Sequence, residues 1–599
     1  MVRTGSYGLV GFESLKDYGK SLLAMPTILS RRAFSPLMPA DAVVESGAAM
    51  KQVLGAFDLI CLGIGMMLGA GVFVTTGYVA ANIAGPAVII SYIVAGISAM
   101  LSSFCYAEFA VDIPCAGGAY TYIAAALGEF LAWLTVSNLI FEYILANAAA
   151  VRGFSPYFAS LTNKPEAFYI HNWNSPSGPL QLDWWAFGWC LLLSVLLVFG
   201  TKESAWFNGI VTVVHVVLVV FIIIAGLIKA NPANARPFLP FGMRGAFNGA
   251  SIVFFSYIGF DAVATAAEET RDARKDLPAG ILGSVSIVTV LYTLMAATLV
   301  LMVPDNTLLK LANASFAEAF RYVGWQWATY IVAVGALMGI VTTTLVGMYG
   351  ASRIITGVAR DHLIPPVLAR VNARFQTPWI AIAIQGTATA VLALLSPFSE
   401  LADMVSISTL FAFWVVALGL VWRRSCSHGE GGANGAKLGE AAPVGPRQRW
   451  TTAALLALLN AGAIIFTLGW KVPQPGSVAE HAMLGVGGGV FLLSTLALHI
   501  LVKPTYTPPR YTAPLYPWLP ALSMAFNIFL LGQLSDKAYE RFGIWTAVCI
   551  AGYFLYSGAA SYNKAQRDAS ALPLRTRATA LDDGGDAKAA VEMTAGGAP

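Results

Sequence analysis

Charged side chains are scarce in this chain. Asp, Glu, Lys and Arg together make up 11% of its 599 residues, less than half of the roughly 25% that is usual in soluble proteins. Hydrophobic residues make up 57%. Such a chain cannot cover its surface with charge, which excludes a soluble multidomain enzyme and also a disordered protein. Most of the surface must therefore face lipid.

Several other features are also missing. The six cysteines are scattered, with no CxxC pair or Cys/His cluster, which excludes a disulfide framework and a zinc site. Neither an HExxH motif nor a nucleophile elbow occurs, and the Gly19-Lys20-Ser21 triplet lacks the rest of a phosphate-binding loop. The net charge of +4 is too small to indicate a nucleic-acid partner. We therefore expect no enzymatic activity, cofactor or metal.

Long apolar runs are abundant. A bilayer core about 30 Å thick needs roughly 20 apolar residues per helix, and this measure predicts an all-α integral membrane protein with about fourteen transmembrane helices. We number them as spans 1–14, near residues 57–80, 86–110, 119–148, 184–200, 205–228, 246–268, 279–303, 323–350, 378–396, 402–422, 451–470, 483–502, 515–534 and 543–561.

Charge predicts the orientation. With both termini in the cytosol, 26 of the 36 Lys and Arg residues fall on the cytosolic side, as the positive-inside rule requires. The basic, Gly-rich loop 426–449 separates ten spans from four. This split favours a transporter core (51–425) of two inverted five-helix repeats, followed by spans 11–14 (450–562). Residues 1–50 form a cytosolic N-terminal segment, and 563–599 a disordered cytosolic tail.

Spans 1 and 6 correspond in such repeats, and both carry helix-breaking residues. Span 1 has four glycines within nine residues, and span 6 has a Ser, a Gly and an intramembrane acid: Gly63, Gly65, Gly69 and Gly71; Ser256, Gly259 and Asp261. Gly-interrupted spans in matching positions indicate a substrate site near the bilayer midplane. The alternative is that the glycines only let helices pack closely.

Unwound helices expose backbone groups that suit an α-amino acid. N–H groups from Leu68 to Gly71 can bind a carboxylate. Carbonyls near Met66, Phe254 and Phe255 can accept from an ammonium group.

The residues around these breaks resemble a known family. GIGMMLGAGVFVTTG and AGPAVIISYIVAGISAMLSSFCYAEFA are similar to the start of the amino acid–polyamine–organocation transporters. FGTKESAWFN, FFSYIGFDAVATAAEETRDARKDLPAGI and GASRIITGVARDHLIPP resemble the cationic amino acid transporter branch, in its plant type. The resemblance covers roughly residues 40–425 strongly.

This resemblance implies a LeuT-type fold with the substrate at the two breaks. The matching positions are Met67, Leu68, Gly69, Ala70, Gly71 and Val72 in span 1, and Phe254, Phe255, Ser256 and Asp261 in span 6. Met66, Met67 and Leu68 replace smaller or β-branched residues of the usual pattern. Because methionine is pliable, a site of this kind accepts side chains of varied shape.

Ionisable residues inside spans are functional candidates, because each is costly in lipid. Glu142, deep in span 3, is suited to a cationic substrate side chain or to a structural hydrogen bond. Glu108, near the predicted cytosolic end of span 2, either serves proton coupling or pairs with a loop arginine. Asp261 is either a proton acceptor or a cap for the second half of span 6.

Two further candidates come from spans 5 and 8. His215 lies twelve positions after Glu203, where the resemblance implies a cationic coupling residue. We expect His215 to brace span 5 against the span-1 break. The alternative is a core histidine bonded to a span-1 carbonyl. In the family, a small residue at the position of Thr344 leaves room for a long substrate side chain. Thr342, Thr343 and Thr344 can equally bond to their own helix.

The predicted function is that of a secondary active transporter. It carries cationic amino acids (arginine and lysine, with neutral ones such as glutamine as weaker substrates) by proton-coupled alternating access. A channel or a nutrient receptor on the same fold is the alternative. The expected partners are the amino acid, protons and the lipid bilayer. The plasma membrane is the expected location, with the vacuolar membrane as the alternative.

Overall fold

A computed structural model describes residues 15–23, 25–29, 52–114, 117–175, 178–199, 205–304, 314–372, 374–375, 377–426, 445–472 and 474–571. Most of the N-terminal segment, of loop 426–449 and of the C-terminal tail lie outside these ranges, and so does Glu203. The predictions made for those segments therefore remain predictions.

Each predicted span coincides with a helix or with a chain of helices. Spans 1, 3, 6 and 14 are built from consecutive pieces, and the other ten are single helices. The pieces are Ala56–Met67, Gly71–Thr75, Thr76–Val79 and Ala80–Ala84 (span 1); Ala119–Leu127 and Glu129–Arg152 (span 3); Gly242–Val253, Phe254–Tyr257 and Phe260–Thr265 (span 6); and Asp536–Gly552, Tyr553–Ser557 and Gly558–Ala571 (span 14). The single helices, spans 2, 4, 5 and 7–13 in order, are Val88–Asp112, Trp184–Val198, Ala205–Ile228, Ala273–Met302, Gln326–Arg360, Trp379–Leu395, Phe398–Cys426, Pro446–Lys471, Val478–Leu501 and Trp518–Gln533.

The predicted all-α membrane class is confirmed. Within the described ranges, ten helical segments are long and apolar enough to cross a membrane, and the first of them, Ala56–Asp112, contains both span 1 and span 2. Spans 4, 9 and 13 are shorter apolar helices. The number of fourteen crossings stays a prediction.

Shorter elements join the spans. A two-stranded antiparallel hairpin, β1 (Ile170–Ser175) and β2 (Gly178–Asp183), precedes span 4. Asp183 ends the hairpin and caps span 4, because its carboxylate accepts from the N–H of Ala186 at 2.9 Å. The remaining helices are Leu15–Leu23, Met25–Ile28, Gly85–Ala87, Phe154–Thr162, Glu166–Phe168, Pro232–Ala235, Ala267–Glu269, Ser315–Tyr322 and Pro366–Ala369.

Two boundaries differ from the sequence prediction. Span 3 is interrupted at Gly128, whose φ of 95° is a conformation that favours glycine. The last helix runs on to Ala571, past the boundary predicted at 562, and Leu15–Leu23 packs against it through Tyr18, whose hydroxyl donates to the Leu555 carbonyl at 2.7 Å. Apolar periodicity did not reveal this extension, because its residues are mostly polar.

The core is organised around the helices of the first ten spans. Span 7 packs against spans 1 and 2, and span 6 packs against span 2. Spans 8 and 10 pack against span 3, and span 9 packs against span 4. Spans 11 and 12 form a close pair beside span 13. Spans 1 and 6 both contact span 7, and they also contact each other.

A cluster of ion pairs ties the ends of spans 2 and 10 together; we call Glu108, Asp112, Arg423 and Arg424 the ion-pair cluster. Arg424 donates to both carboxylate oxygens of Glu108, with its Nε at 2.7 Å. Arg423 pairs with Asp112 at 2.7 Å. Of the two roles expected for Glu108, the structure therefore favours pairing with an arginine.

The segment between spans 12 and 13 is bound to this cluster. The Glu108 carboxylate accepts from the N–H of Ala513 at 2.6 Å, and the Arg424 guanidinium stacks over the Tyr516 ring at 4.5 Å. The Tyr506 hydroxyl donates to Asp112. Burial, together with the nearby Asp112 charge, raises the pKa of Tyr506 to about 12. Spans 11–14, which we call the accessory spans, are thus anchored to the core by buried charge.

We predict that Arg424→Met destabilises the protein strongly. The Glu108 and Arg424 side chains are 1% and 6% exposed, so the change leaves a buried carboxylate unpaired, at a cost of about 3–5 kcal/mol. The Arg541–Glu400 pair, 37% and 35% exposed, is the control, and Arg541→Met is expected to cost about 0–1 kcal/mol. Thermal unfolding of the purified protein measures both. Equal shifts in melting temperature would contradict a structural role for the cluster.

Candidate substrate site

Span 1 is broken where the sequence predicts. Its first helix ends at Met67, and Leu68 leaves the helical conformation with a ψ of 89°. The chain becomes helical again by Gly71. The Leu68 N–H still donates to the Ile64 carbonyl at 2.7 Å. The expectation that this N–H is free for a carboxylate is therefore wrong, and the available amides begin at Gly69.

Span 6 is broken at the corresponding place. The helix ending at Val253 tightens into the turn Phe254–Tyr257, and Ile258 is extended. Gly259 has a φ of 124° before the helix resumes at Phe260. Glycine adopts this conformation without a steric penalty, so the residue marks the break itself.

The two breaks lie directly against each other. A Cβ atom on Gly71 would approach the Cα of Ser256 to 2.7 Å, and one on Gly259 would approach the Cβ of Met66 to 2.7 Å. Non-bonded carbon atoms do not approach this closely, so neither position has room for a side chain. The sequence allowed two interpretations of these glycines, helix unwinding and close helix packing. Both hold at this site.

Tyr292 of span 7 joins the two breaks, and the sequence analysis missed it. Its hydroxyl donates to the Met67 carbonyl at 2.6 Å and to the Ser256 carbonyl at 3.1 Å. Both are carbonyls that the broken helices expose. The signal in the sequence was a tyrosine inside a span, since a buried hydroxyl needs a partner, but five Ser and Thr residues in the same helix weaken that signal.

A set of buried hydroxyls lies beside the breaks. The Ser256 hydroxyl is 3.0 Å from that of Thr75, which is 3.1 Å from the hydroxyl of Tyr92. Thr76 is 2.7 Å from the same Tyr92 hydroxyl. These bonds hold span 6 to span 1 and span 2. These bonds use the Ser256 hydroxyl, so the Ser256 carbonyl is the group of this residue that is more available to a ligand.

Two buried acids, Glu142 and Asp261, lie close enough to interact electrostatically. They are 1% and 8% exposed, and neither forms an ion pair within the described part of the chain. Glu142 Oε2 and Asp261 Oδ1 have no hydrogen-bond partner among the described residues. Tyr143 donates a hydrogen bond to Asp261. The acid pair is therefore positioned and incompletely satisfied, which is costly unless something else binds there.

Asp261 also begins the second half of span 6. Backbone N–H groups of Gly259 and Ala262 lie beside its carboxylate, and Asp261 is the second residue of the helix Phe260–Thr265. This position near the positive end of the helix dipole agrees with the cap predicted as one of its two roles. The carboxylate oxygen Oδ1 remains available for another partner.

Aromatic rings separate the breaks from the neighbouring helices. Phe254 contacts Phe413 of span 10 with ring centroids 5.9 Å apart, and Phe255 contacts Phe398 at 6.1 Å. Phe260 lies 4.8 Å from the Phe413 ring. Phe413 thus forms an aromatic wall with Phe254 and Phe260, although no motif in span 10 had indicated it.

In span 8 the residue that faces the span-1 break is Thr343. A Cβ atom on Gly69 would overlap the Thr343 side chain. Thr344, the residue named from the sequence, is fully buried and donates to the Ile340 carbonyl of its own helix at 2.6 Å. The bonding alternative holds for Thr344. The helical register had not distinguished the two neighbouring threonines.

His215 of span 5 is buried against span 8. Its Nε2 lies 3.3 Å from the Gly335 carbonyl, and a Cβ on Gly339 would approach the ring to 2.7 Å. The expected contact with span 1 is therefore wrong for His215. Span 5 reaches span 1 through Thr212, whose hydroxyl donates to the Cys61 carbonyl at 3.2 Å.

The described residues contain no group of His, Cys, Asp and Glu suited to a metal ion. Backbone amides, carbonyls and two carboxylates are instead what the site offers.

The sequence matches a known family over most of its length. The family described as "Amino acid permease" matches residues 54–496, and the C-terminus of these permeases matches residues 511–561. The chain therefore belongs to the amino acid permease family. It is a multi-pass membrane protein and an amino acid transporter of that family, and its relatives are transporters, not enzymes.

Relatives from Arabidopsis thaliana are similar over nearly the whole chain. "Cationic amino acid transporter 1" is 41% identical, covering 93% of this chain and 91% of that protein. "Cationic amino acid transporter 6, chloroplastic" is 39% identical over 92% and 94%. "Cationic amino acid transporter 8, vacuolar" is 36% identical over 93% and 92%. The predicted resemblance to plant cationic amino acid transporters is confirmed.

We predict that Gly71→Ala reduces amino acid uptake at least about tenfold. Its Cβ would meet the Ser256 backbone, which cannot move aside as a flexible side chain can, and overpacking of this kind costs about 1–3 kcal/mol. Gly357→Ala in span 8 is the control, because no atom lies within 4 Å of its added Cβ. Uptake per molecule at the membrane is measured for both. Normal uptake by the Gly71 variant would show that the two breaks need not touch.

Proposed function

We propose that this protein is a secondary active transporter that carries cationic amino acids across a membrane by proton-coupled alternating access. The observation that carries the proposal is the meeting of two broken helices beside two buried acids that form no ion pair with any described residue. An α-amino acid with a positive side chain carries three charges: a carboxylate, an ammonium group and the side-chain cation. This arrangement can bind all three.

The broken helices suit the main-chain end of the substrate. Amides from Gly69 onward lie at the start of the second half of span 1, where the helix dipole favours a carboxylate. The Ser256 carbonyl is exposed by the break in span 6 and accepts from an ammonium group. Met67, Leu68, Ala70, Val72, Phe254 and Phe255 line these breaks and complete the proposed substrate contacts.

The acid pair suits the side-chain end. Asp261 follows the span-6 break by two residues, so the pair lies beside the main-chain site. A guanidinium or ammonium group placed there would supply donors to Glu142 Oε2 and Asp261 Oδ1, which lack partners among the described residues. Arginine and lysine are therefore the proposed substrates, and neutral amino acids such as glutamine the weaker ones. Thr343, with Thr344 behind it, would limit the length of the side chain.

The helix packing is consistent with two inverted repeats of a LeuT-type fold. In such a fold, spans 1–5 correspond in order to spans 6–10. The contact between spans 1 and 7 therefore corresponds to the contact between spans 6 and 2, and both contacts are observed. The same correspondence relates the span 3–span 10 contact to the span 8–span 5 contact. Alternating access by movement of one repeat against the other is the mechanism we propose.

His215 is the proposed coupling residue, with Asp261 and Glu108 as the further candidates. Protonation makes both ring nitrogens donors, whereas the described part of the chain offers the ring one acceptor, the Gly335 carbonyl. An apolar groove of about 390 Å³ lies beside the ring, lined by Val214, Leu218, Tyr330, Ile331, Val334, Gly335 and Met338. Imidazolium is costly in such surroundings, so a charged His215 would favour a different packing of span 5 on span 8. Thr212 would transmit that change to span 1.

The membrane is proposed to be the plasma membrane, with both termini in the cytosol. The vacuolar membrane is the second candidate, because one relative carries that location in its name. Uptake of radiolabelled arginine into proteoliposomes tests the function itself. Saturable accumulation driven by a proton gradient supports a carrier, passive current would indicate a channel, and binding without transport would indicate a receptor.

Glu142→Gln is predicted to impair arginine and lysine far more than neutral amino acids. The amide keeps the size of the carboxyl but loses the charge, and a charged hydrogen bond contributes about 1.5–3 kcal/mol, so we expect at least a tenfold rise in the KM for arginine. The KM for glutamine should change less than threefold. Equal losses for both substrates would mean that the acid is structural.

His215→Asn is predicted to flatten the pH dependence of uptake. Arginine uptake is measured with the outside at about pH 5.5 and about pH 7.5, a range that spans the usual titration of histidine. The parent should transport faster at the lower pH and the variant at equal rates. His481→Asn, at an exposed position in span 12, is the control. An unchanged pH profile in a folded His215 variant would exclude it as the coupling residue.

A further inference from the structure

The Tyr292 hydroxyl stands between two carbonyl oxygens that both need a donor. Met67 is the last residue of the first helix in span 1, and the last carbonyls of a helix lack partners within it. Ser256 lies in the turn that breaks span 6. The hydroxyl is 2.6 Å from the first oxygen and 3.1 Å from the second. One side chain therefore serves both broken helices.

A tyrosine hydroxyl has a single proton. It can donate fully to one carbonyl at a time, and the shorter distance favours Met67. The Ser256 carbonyl is then left with a weak, shared hydrogen bond. Leaving a buried carbonyl in this condition is unfavourable, so the Ser256 carbonyl can accept a further donor.

The position of the hydroxyl oxygen is fixed by packing. Tyr292 is fully buried, and its ring lies edge-on to Tyr92 and Tyr257 with centroids 5.6 Å and 5.4 Å apart. Tyr257 is held in turn by its own hydroxyl, which donates to the Tyr92 carbonyl at 2.8 Å. The Tyr292 proton can turn between the two carbonyls, but the ring cannot leave them.

We propose that Tyr292 is a positioning residue that stands in for the substrate ammonium group when the site is empty. It holds the span-1 and span-6 breaks together by sharing its proton. When an amino acid binds, the ammonium group donates to the Ser256 carbonyl and the Tyr292 proton turns wholly to Met67. This inference rests on the proposed transport function.

This role makes Tyr292 matter most to the empty protein. Without the hydroxyl, both carbonyls lack this donor in the empty state, whereas a bound ammonium group, with three N–H donors, still supplies at least one of them. Because the ammonium group can donate to both carbonyls, the closed empty form, through which the transporter returns, is destabilised more than the closed loaded form. The change should therefore slow the return of the empty transporter and leave substrate affinity intact.

Tyr292→Phe separates these two states in proteoliposomes. Net uptake of radiolabelled arginine requires the empty transporter to return, whereas exchange against arginine inside the vesicle does not. We expect net uptake to fall about tenfold or more, exchange to stay within threefold of the parent, and the KM not to rise. Tyr157→Phe is the control, because the buried Tyr157 hydroxyl donates to the Phe73 carbonyl at 2.8 Å, beyond the span-1 break. It should affect both modes equally.

The outcomes are distinguishable. Equal loss of net uptake and exchange in a folded Tyr292 variant would overturn the inference and leave Tyr292 a structural residue. A raised KM with normal net uptake would also overturn it. If the parent protein neither takes up nor exchanges arginine, the proposed function fails before the role of Tyr292 is reached.

Discussion

A broken helix inside a membrane must find partners for the backbone groups that it exposes, because lipid offers none. In this protein the two breaks provide much of that environment for each other. Gly71 and Gly259 let the backbones of spans 1 and 6 come together, and Tyr292 supplies a proton to one carbonyl from each. The close approach of the two breaks is the constraint from which the site, its aromatic wall and its acids follow.

Buried acids in this chain fall into two kinds, and the difference lies in their partners. Glu108 is satisfied by Arg424 and by the Ala513 N–H, so it fixes the ends of spans 2 and 10 and anchors the accessory spans. Glu142 and Asp261 each keep an oxygen without a partner among the described residues. The first arrangement stabilises the protein, and the second stores an unmet interaction that a cation can satisfy. We infer function from the second kind because stability alone gives no reason to keep it.

Much of the fold could be predicted from the sequence, because span length and Gly position reflect local physics. The breaks were predicted from Gly63, Gly65, Gly69 and Gly71 in span 1 and from Ser256, Gly259 and Asp261 in span 6. The first helix continues through Gly63 and Gly65 and ends at Met67. Contacts between helices could not be predicted, because they depend on rotation about each helix axis. His215 was therefore placed against span 1 although it faces span 8.

The errors at Thr344 and Tyr292 have the same cause, because they too concern contacts between helices. Thr344 was chosen where its neighbour Thr343 faces the break, a difference of one position in helical register. Tyr292 was missed because it is one of several hydroxyl residues in its span, and the sequence does not show which group each of them bonds to.

We propose that the two breaks form one binding site for a cationic amino acid, and a structure determined with arginine bound would test this. We expect the carboxylate at the amides from Gly69 onward, the ammonium group at the Ser256 carbonyl and the guanidinium group between Glu142 and Asp261. Arginine bound away from these breaks, or with its side chain turned away from both acids, would contradict it.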